Sequence, residues 1–196
     1  MNVINHYDML VEENNDPFHD PKPLQVYMDK WDGKPFLDAL KLDKTKDVLE
    51  IGVGTGRLVV KTAPLCKSLC GIDLSSKTID KAKENLSVYD NIQLICADFM
   101  SFSFDIRFDV IYSSLTFMHI KEKEKCVNKI YSLLKSGGRF ILSIDKNQDS
   151  FIDYGTRKIE IYPDNPSDIQ AYIKSTGFKL TEIIETEFAY IFVCEN

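Results

Sequence analysis

The sequence lacks a long apolar run, a basic leader and an excess of positive charge. No hydrophobic stretch in its 196 residues approaches the roughly 18 needed to span a membrane. The N-terminus, MNVINH, lacks the basic start and apolar core of a signal peptide. The formal net charge of −6 argues against a partner bound through nucleic-acid phosphates, because such a protein needs a basic face. We therefore expect a cytoplasmic protein with no membrane and no nucleic-acid partner.

Cysteine is scarce and irregularly spaced. The five cysteines are an odd number and include no C-x-x-C pair. This spacing is not typical of a zinc site or of a disulfide framework, so no metal is predicted. We expect all of them to be small buried hydrophobic residues. They are Cys66, Cys70, Cys96, Cys126 and Cys194.

Two phosphate-binding patterns are also missing. The P-loop pattern G-x-x-x-x-G-K-[ST] does not occur, and the dinucleotide fingerprint G-x-G-x-x-G would need a glycine where the sequence has Arg57. The stretch 48–57, VLEIGVGTGR, is instead a short apolar run followed by three glycines at alternate positions. Glycines let the chain turn sharply and let its backbone approach a ligand. A strand, a glycine turn and a helix start predict the ligand-binding corner of a doubly wound α/β sheet.

Strands and helices alternate beyond this point. Strands are predicted at 47–51, 68–73, 92–96, 108–113 and 139–145, and helices at 57–65, 76–87 and 122–135, the last ending in a glycine cap. Such alternation implies parallel pairing with right-handed crossovers. A short strand (157–162), a helix (166–176) and two β-rich runs (178–186 and 188–194) follow. The gap between these two runs is so short that they must form an antiparallel hairpin.

The segment before the first strand is too short to form its own core. It holds predicted helices at 24–30 and 35–42. We therefore expect a single domain over residues 1–196, with an N-terminal helical lid (1–44), a ligand-binding core (45–145) and the C-terminal part of the sheet (146–196).

The pattern E-x-G-x-G-x-G, from Glu50 to Gly56, resembles motif I of the class I S-adenosylmethionine (SAM) methyltransferases. Four later segments are similar to the same family in the same order: 71–75, 96–99, 108–113 and 134–140. The resemblance covers roughly residues 47–145 and is strongest to the broad small-molecule group often labelled type 11. It implies a seven-stranded mixed sheet with helices on both faces. It also implies SAM as cofactor, S-adenosylhomocysteine as product and a small-molecule acceptor; the protein is expected to be a monomer or a homodimer.

The resemblance assigns roles to three acidic residues. Asp73 would accept both ribose hydroxyls, Asp98 would accept from the adenine amino group, and Glu50 would face the methionine ammonium. The structural alternatives are a surface turn for Asp73, a turn cap for Asp98, and a Lys or Arg partner for Glu50. Leu74 or Phe99 could pack on the adenine ring. The full predicted cofactor-binding set is Glu50, Gly52, Val53, Gly54, Gly56, Asp73, Leu74, Asp98, Phe99, Ser113 and Ser114.

The segment 113–119 follows the fourth strand, where the transferred methyl group should point. It lacks the N-P-P-Y-like residues of families that methylate amino groups of adenine or glutamine, which disfavours that reaction. His119 is a candidate general base, with structural packing as the alternative. Tyr7 is the second catalytic candidate, since a lid would bring it and His6 towards the cofactor or acceptor, with Trp31 packing the lid down. Methyl transfer depends mainly on positioning, so the lack of an obvious catalytic dyad does not exclude an enzyme.

Two other functions are compatible with these features. The first is a SAM-binding regulator or subunit without transferase activity. The second, which Arg57 disfavours, is an NAD-linked oxidoreductase. Oxygen, nitrogen, sulfur and arsenic acceptors all occur on this fold, so the resemblance does not identify the acceptor.

Overall fold

A computed structural model describes residues 2–196. Within this range the chain forms seven α-helices and nine β-strands. The helices are α1 (Val3–Glu12), α2 (Lys22–Asp32), α3 (Lys34–Leu40), α4 (Val59–Thr62), α5 (Ser76–Asn85), α6 (Lys123–Leu133) and α7 (Pro166–Thr176). The strands are β1 (Asp47–Ile51), β2 (Ser68–Asp73), β3 (Ile92–Cys96), β4 (Phe108–Ser114), β5 (Leu134–Asp145), β6 (Phe151–Asp153), β7 (Lys158–Glu160), β8 (Lys179–Glu185) and β9 (Ala189–Glu195). Short 3₁₀ turns occur at Pro17–His19, Ala63–Leu65 and Phe117–His119.

Seven strands form one mixed sheet in the order β3-β2-β1-β4-β5-β9-β8. Strands β1 to β5 are parallel, and β9 runs antiparallel to both β5 and β8. The predicted seven-stranded sheet with a C-terminal antiparallel hairpin is therefore confirmed. The strand order reverses between β1 and β4, and ligands of open α/β sheets bind in the crevice at such a point.

The central strands are covered on both faces. Neighbouring residues of β1 point to opposite sides: Leu49 packs in the core cluster that contains α6, and Val48 packs in the cluster that contains α4 and α5. Both side chains are fully buried. Burial on two faces explains why apolar residues of β1 stand at adjacent positions rather than only at alternate ones.

Several element boundaries differ from the prediction, and two of the differences have a clear physical cause. The helix after the glycine loop has only four residues before a 3₁₀ turn that contains Pro64, because proline lacks the N–H that would continue the helix. Helix α6 ends at Leu133, so Gly137 and Gly138 are not a helix cap but lie within β5. The far end of the chain holds them there. Gly137 donates its N–H to the Asn196 carbonyl (3.1 Å), and Asn196 donates to the Gly138 carbonyl (2.9 Å).

The strand predicted at 157–162 does not join the main sheet. It forms β7, which pairs antiparallel with β6 in a separate two-stranded sheet. We call residues 151–160 the β6–β7 hairpin. Its base is well packed, because Ile159 and Ile161 are buried and Tyr162 donates its N–H to the Met118 carbonyl (2.7 Å).

The N-terminal segment divides into two parts. Helix α1 was not among the predicted helices, and the Asn2 side chain caps it by accepting the Asn5 N–H (2.8 Å). Helices α2 and α3 pack against the sheet, where Phe36 is fully buried in the core. Trp31 lies with its ring centroid 4.7 Å from that of Phe188 and donates its Nε1–H to Asp145 (3.1 Å). Trp31 therefore packs this segment down, as predicted.

The cysteines are all free thiols, and four of them are buried. Cys96 is exposed, which corrects the expectation for that residue. Over residues 2–196, no helix combines the length and apolar character that a bilayer crossing requires. The same residues contain no group of three or more His, Cys, Asp or Glu side chains arranged to hold a metal ion.

Candidate functional site

A cavity of about 540 Å³ lies at the point where the strand order reverses. The segments that follow β1 to β4 form its wall, together with α1 and Tyr154 of the β6–β7 hairpin. Most of the predicted site residues line it: Tyr7, Glu50, Gly52, Val53, Gly54, Asp73, Leu74, Asp98, Phe99, Ser114 and His119. The structure thus brings together residues from five separate segments of the chain.

Two predicted site residues, Gly56 and Ser113, are not on the cavity wall. A Cβ atom at Gly56 (φ +99°) would lie 2.8 Å from Leu86 Cδ1, so this glycine allows close packing of α5 rather than ligand approach. Ser113 is fully buried and donates its hydroxyl to the Ile51 carbonyl (2.9 Å), which ties β4 to β1. Both residues support the site without lining it.

The first two glycines of the loop have different surroundings. Both have positive φ, +80° at Gly52 and +55° at Gly54. A Cβ at Gly52 would lie 1.9 Å from Thr116 Oγ1, whereas a Cβ at Gly54 would meet no atom within 4 Å. Gly52 therefore allows the loop after β4 to pack closely, while Gly54 leaves its side of the cavity open to a ligand.

Asp73 holds the glycine loop. Its carboxylate accepts the Gly54 N–H through Oδ2 and the Ser75 N–H through Oδ1, both at 3.0 Å. Burial raises the pKa of Asp73, and these backbone bonds partly oppose that rise. Because a carboxylate offers about four acceptor positions, Asp73 can still receive hydroxyl groups of a ligand. Asp98 is exposed and accepts the Met100 N–H (2.9 Å), so it caps a turn at the cavity edge.

Glu50 is buried at the base of the cavity, where it accepts a hydrogen bond from the Tyr112 hydroxyl (2.6 Å). Burial raises the pKa of Glu50 to about 8, while the Tyr112 bond and the charge of Arg57 act in the opposite direction. In the free protein Glu50 is therefore mostly protonated at neutral pH. The structural alternative for Glu50 was a direct Lys or Arg partner. Among the described residues, no Lys or Arg side chain donates a hydrogen bond to Glu50.

A buried ion pair beside the cavity was missed by the sequence analysis. Arg57 donates two hydrogen bonds to Asp32 of α2, at 2.8 and 2.5 Å, and Ser114 donates a third at 2.6 Å. Asp32 is fully buried. In the sequence, Arg57 was notable only because it stands where the dinucleotide fingerprint would need a glycine. Nothing distinguished Asp32 from the other acidic residues of the first 44 positions. The three side chains join α2, the glycine loop and β4.

Tyr7 and His119, singled out separately from the sequence, form a pair. The Tyr7 hydroxyl lies 2.8 Å from His119 Nε2, and the two rings meet edge to face at 5.5 Å. Burial lowers the pKa of His119 to about 4, and repulsion from Lys123, and from His6 when that ring is protonated, adds to the effect. Burial also raises the pKa of Tyr7. Both side chains are therefore uncharged at neutral pH.

Residues 49–142 match the family model described as a methyltransferase domain. These residues, just under half of the chain, therefore resemble a methyltransferase domain. A crystal structure of a SAM-dependent methyltransferase from Aquifex aeolicus has the same fold, with a TM-score of 0.72 at 14% identity over 92% of this chain and 98% of the other. N-methyltransferase NodS from Bradyrhizobium japonicum, solved with S-adenosylhomocysteine, gives a TM-score of 0.71 at 16% identity over 100% and 99% of the two chains.

The curated proteins to which this chain is similar are longer. Malonyl-[acyl-carrier protein] O-methyltransferase 1 from Ilyobacter polytropus is 32% identical over 111 residues, which are 55% of this chain and 41% of that protein. The chain spans between 35% and 57% of the length of the first three such relatives.

Proposed function

We propose that this chain is a SAM-dependent methyltransferase that acts on a small-molecule acceptor. The observation that carries the proposal is the position of Asp73, which joins an open glycine loop to an acid-lined cavity where the strand order reverses. These features suit a cationic ligand with hydroxyl groups better than an anionic phosphate. When bound, SAM supplies a methyl group already activated as a sulfonium.

The residues of the cavity have matching roles in this proposal. Asp73 receives the ribose hydroxyls, Asp98 the adenine amino group, and Leu74 or Phe99 packs against the adenine ring. The backbone at Gly52, Val53 and Gly54, with Glu50 and Ser114 nearby, receives the methionine moiety. All of them line the cavity.

Tyr7 and His119 would act on the acceptor by positioning it. At neutral pH a histidine whose pKa is about 4 is unprotonated, but it is also a weak base. We therefore assign to the pair the orientation of the nucleophile and the exclusion of water, and not the removal of a proton from an unactivated alcohol. We further propose a cytoplasmic monomer or homodimer without nucleic-acid or membrane partners.

Ligand binding and turnover test the function in two steps. The melting temperature is measured with SAM, S-adenosylhomocysteine and NAD, since a ligand of the native state stabilises it. Stabilisation by NAD alone would support the oxidoreductase. An acceptor screen scored by S-adenosylhomocysteine release follows; binding without release from any acceptor would support the regulatory protein.

Asp73→Ala should weaken SAM and S-adenosylhomocysteine binding by roughly 1–3 kcal/mol, the scale of hydrogen bonds to a charged group. Titration calorimetry measures the loss. Asp80→Ala, which removes an exposed carboxylate from α5, serves as the control and should bind normally. Unchanged affinity in folded Asp73→Ala would remove the ribose assignment.

Binding of S-adenosylhomocysteine should release close to one proton at pH 6.5. Glu50, with a pKa of about 8, is protonated in the free protein, and a nearby ligand ammonium favours its carboxylate form. The release should vanish as the pH rises above 8 and in Glu50→Gln. Calorimetry in buffers of different ionisation enthalpy counts the protons, and zero release by the wild type at pH 6.5 would contradict the assignment.

A further inference from the structure

The side chain of Arg157, in the β6–β7 hairpin, donates hydrogen bonds to α1 and to Glu13, the residue that caps α1. Its side chain is only 8% exposed. The two terminal nitrogens donate to both carboxylate oxygens of Glu13, at 2.6 and 2.7 Å, and Nε donates to His6 Nδ1 at 3.0 Å. We call Arg157, Glu13 and His6 the Arg157 cluster. It joins a segment beyond β5 to the helix that carries Tyr7.

The bond to His6 fixes the state and position of that ring. A guanidinium can only donate, so His6 Nδ1 must be the unprotonated nitrogen. The His6 ring contacts Tyr7 on one side, with centroids 5.1 Å apart, and Tyr154 on another, with centroids 4.4 Å apart. His6 is fully buried without lining the cavity, whereas Tyr7 and Tyr154 both line it. Arg157 thus supports two cavity residues through a residue that the cavity does not contact.

We propose that Arg157 is a positioning residue that holds α1 closed over the cavity and keeps Tyr7 against His119. The inference rests on the proposed function, because it assigns the closed cavity to methyl transfer. A bidentate arginine–carboxylate pair has a defined geometry that a single point charge does not reproduce. The cluster therefore fixes the position of α1 through its geometry, in addition to attracting the helix through charge.

The other side of α1 is tied to the cofactor end of the cavity. Asp8 accepts the Ser75 hydroxyl (2.6 Å), and Ser75 donates its N–H to Asp73. Glu12 pairs with Lys77 of α5. One side of α1 is therefore attached through Ser75 to Asp73, the acid assigned to the ribose. The Arg157 cluster attaches the other side of α1 to the β6–β7 hairpin.

Loss of the guanidinium should leave the hairpin folded. The hairpin is anchored by the buried Ile159 and by its β6–β7 pairing, neither of which involves the Arg157 side chain. Arg157→Gln therefore tests positioning rather than folding. Lys158→Gln is the matched control, because it removes the neighbouring cation, whose partner Asp153 lies within the same hairpin.

The dissociation rate of S-adenosylhomocysteine is the first measurement. Arg157→Gln should accelerate dissociation roughly 10- to 100-fold, the kinetic equivalent of losing charge-assisted hydrogen bonds. Arg157→Lys, which keeps the charge but loses the bidentate geometry, should be intermediate. Glu13→Gln, which alters a half-exposed carboxylate, should also accelerate dissociation. It replaces Arg157→Gln in the experiment if that variant does not fold. Lys158→Gln should match the wild type.

The titration of His119, followed by NMR without any ligand, is the second measurement. The groups that face His119 are Tyr7, His6 and Lys123. If α1 opens, water reaches the ring, and the pKa of His119 should rise from about 4 towards its ordinary value of 6.5. The chain has only three histidines, and the exposed His19 provides a reference signal.

An unchanged dissociation rate together with an unchanged His119 titration in folded Arg157→Gln would overturn the proposal, even if the melting temperature fell. If the wild type did not bind S-adenosylhomocysteine, the proposed function would fail. The His119 titration would still decide whether Arg157 positions α1, so the two failures are distinguishable.

Discussion

Replacing Gly54 with valine is expected to abolish S-adenosylhomocysteine binding while the protein remains folded. A Cβ at this position meets no protein atom within 4 Å, so the new side chain projects into the cavity rather than into the core. The left-handed conformation at φ +55° should cost about 1–2 kcal/mol of stability. We expect affinity to fall by at least ~100-fold, which is about 2.7 kcal/mol. Calorimetry measures the affinity, and thermal denaturation measures the stability.

Gly137→Val separates the effect on binding from backbone strain. Gly137 also has positive φ (+72°) and no atom within 4 Å of a Cβ, but it lies in β5 and does not line the cavity. This variant should lose similar stability and bind S-adenosylhomocysteine normally. Normal binding by Gly54→Val would mean that the loop is only a turn.

The second large effect is expected for Asp32→Ala, which should destabilise the protein by roughly 3–5 kcal/mol. The substitution leaves Arg57 in a partly buried position without its carboxylate and removes the acceptor of the Ser114 hydroxyl. Urea denaturation, with the midpoint and the slope both compared with those of the wild type, measures the change.

Asp38→Ala is the control for that measurement. It breaks an exposed ion pair with Lys34, and such pairs contribute at most about 1 kcal/mol. If Asp32→Ala cost no more than Asp38→Ala, Arg57 would have reached solvent or another partner, and the buried pair would not stabilise the fold. If only Asp32→Ala caused a large loss of unfolding free energy, the lost stability would be assigned to the contact between α2 and the glycine loop.

Sequence patterns located the strands of the core more reliably than they located the ends of its helices. Strands β1, β2 and β3 have the predicted bounds. In β1 and β2 most residues are buried, and strands covered on both faces are rich in apolar residues. The predicted end of α6 was wrong because Asn196, at the other end of the chain, forms backbone hydrogen bonds with Gly137 and Gly138 and holds them in β5. Local glycine statistics carry no information about such a distant partner.

The sequence by itself determined the individual core strands, the glycine turn and the acids that follow the strands, because each depends on residues within a few positions of one another. Only the tertiary structure decided which side chains meet. Tyr7 and His119 are 112 positions apart, Ser114 and Asp32 are 82, and Arg157 and His6 are 151. Periodicity reports which face of an element is buried, but not which residue of a distant element packs there. The assignments that depend on α1 and the β6–β7 hairpin therefore came from the fold.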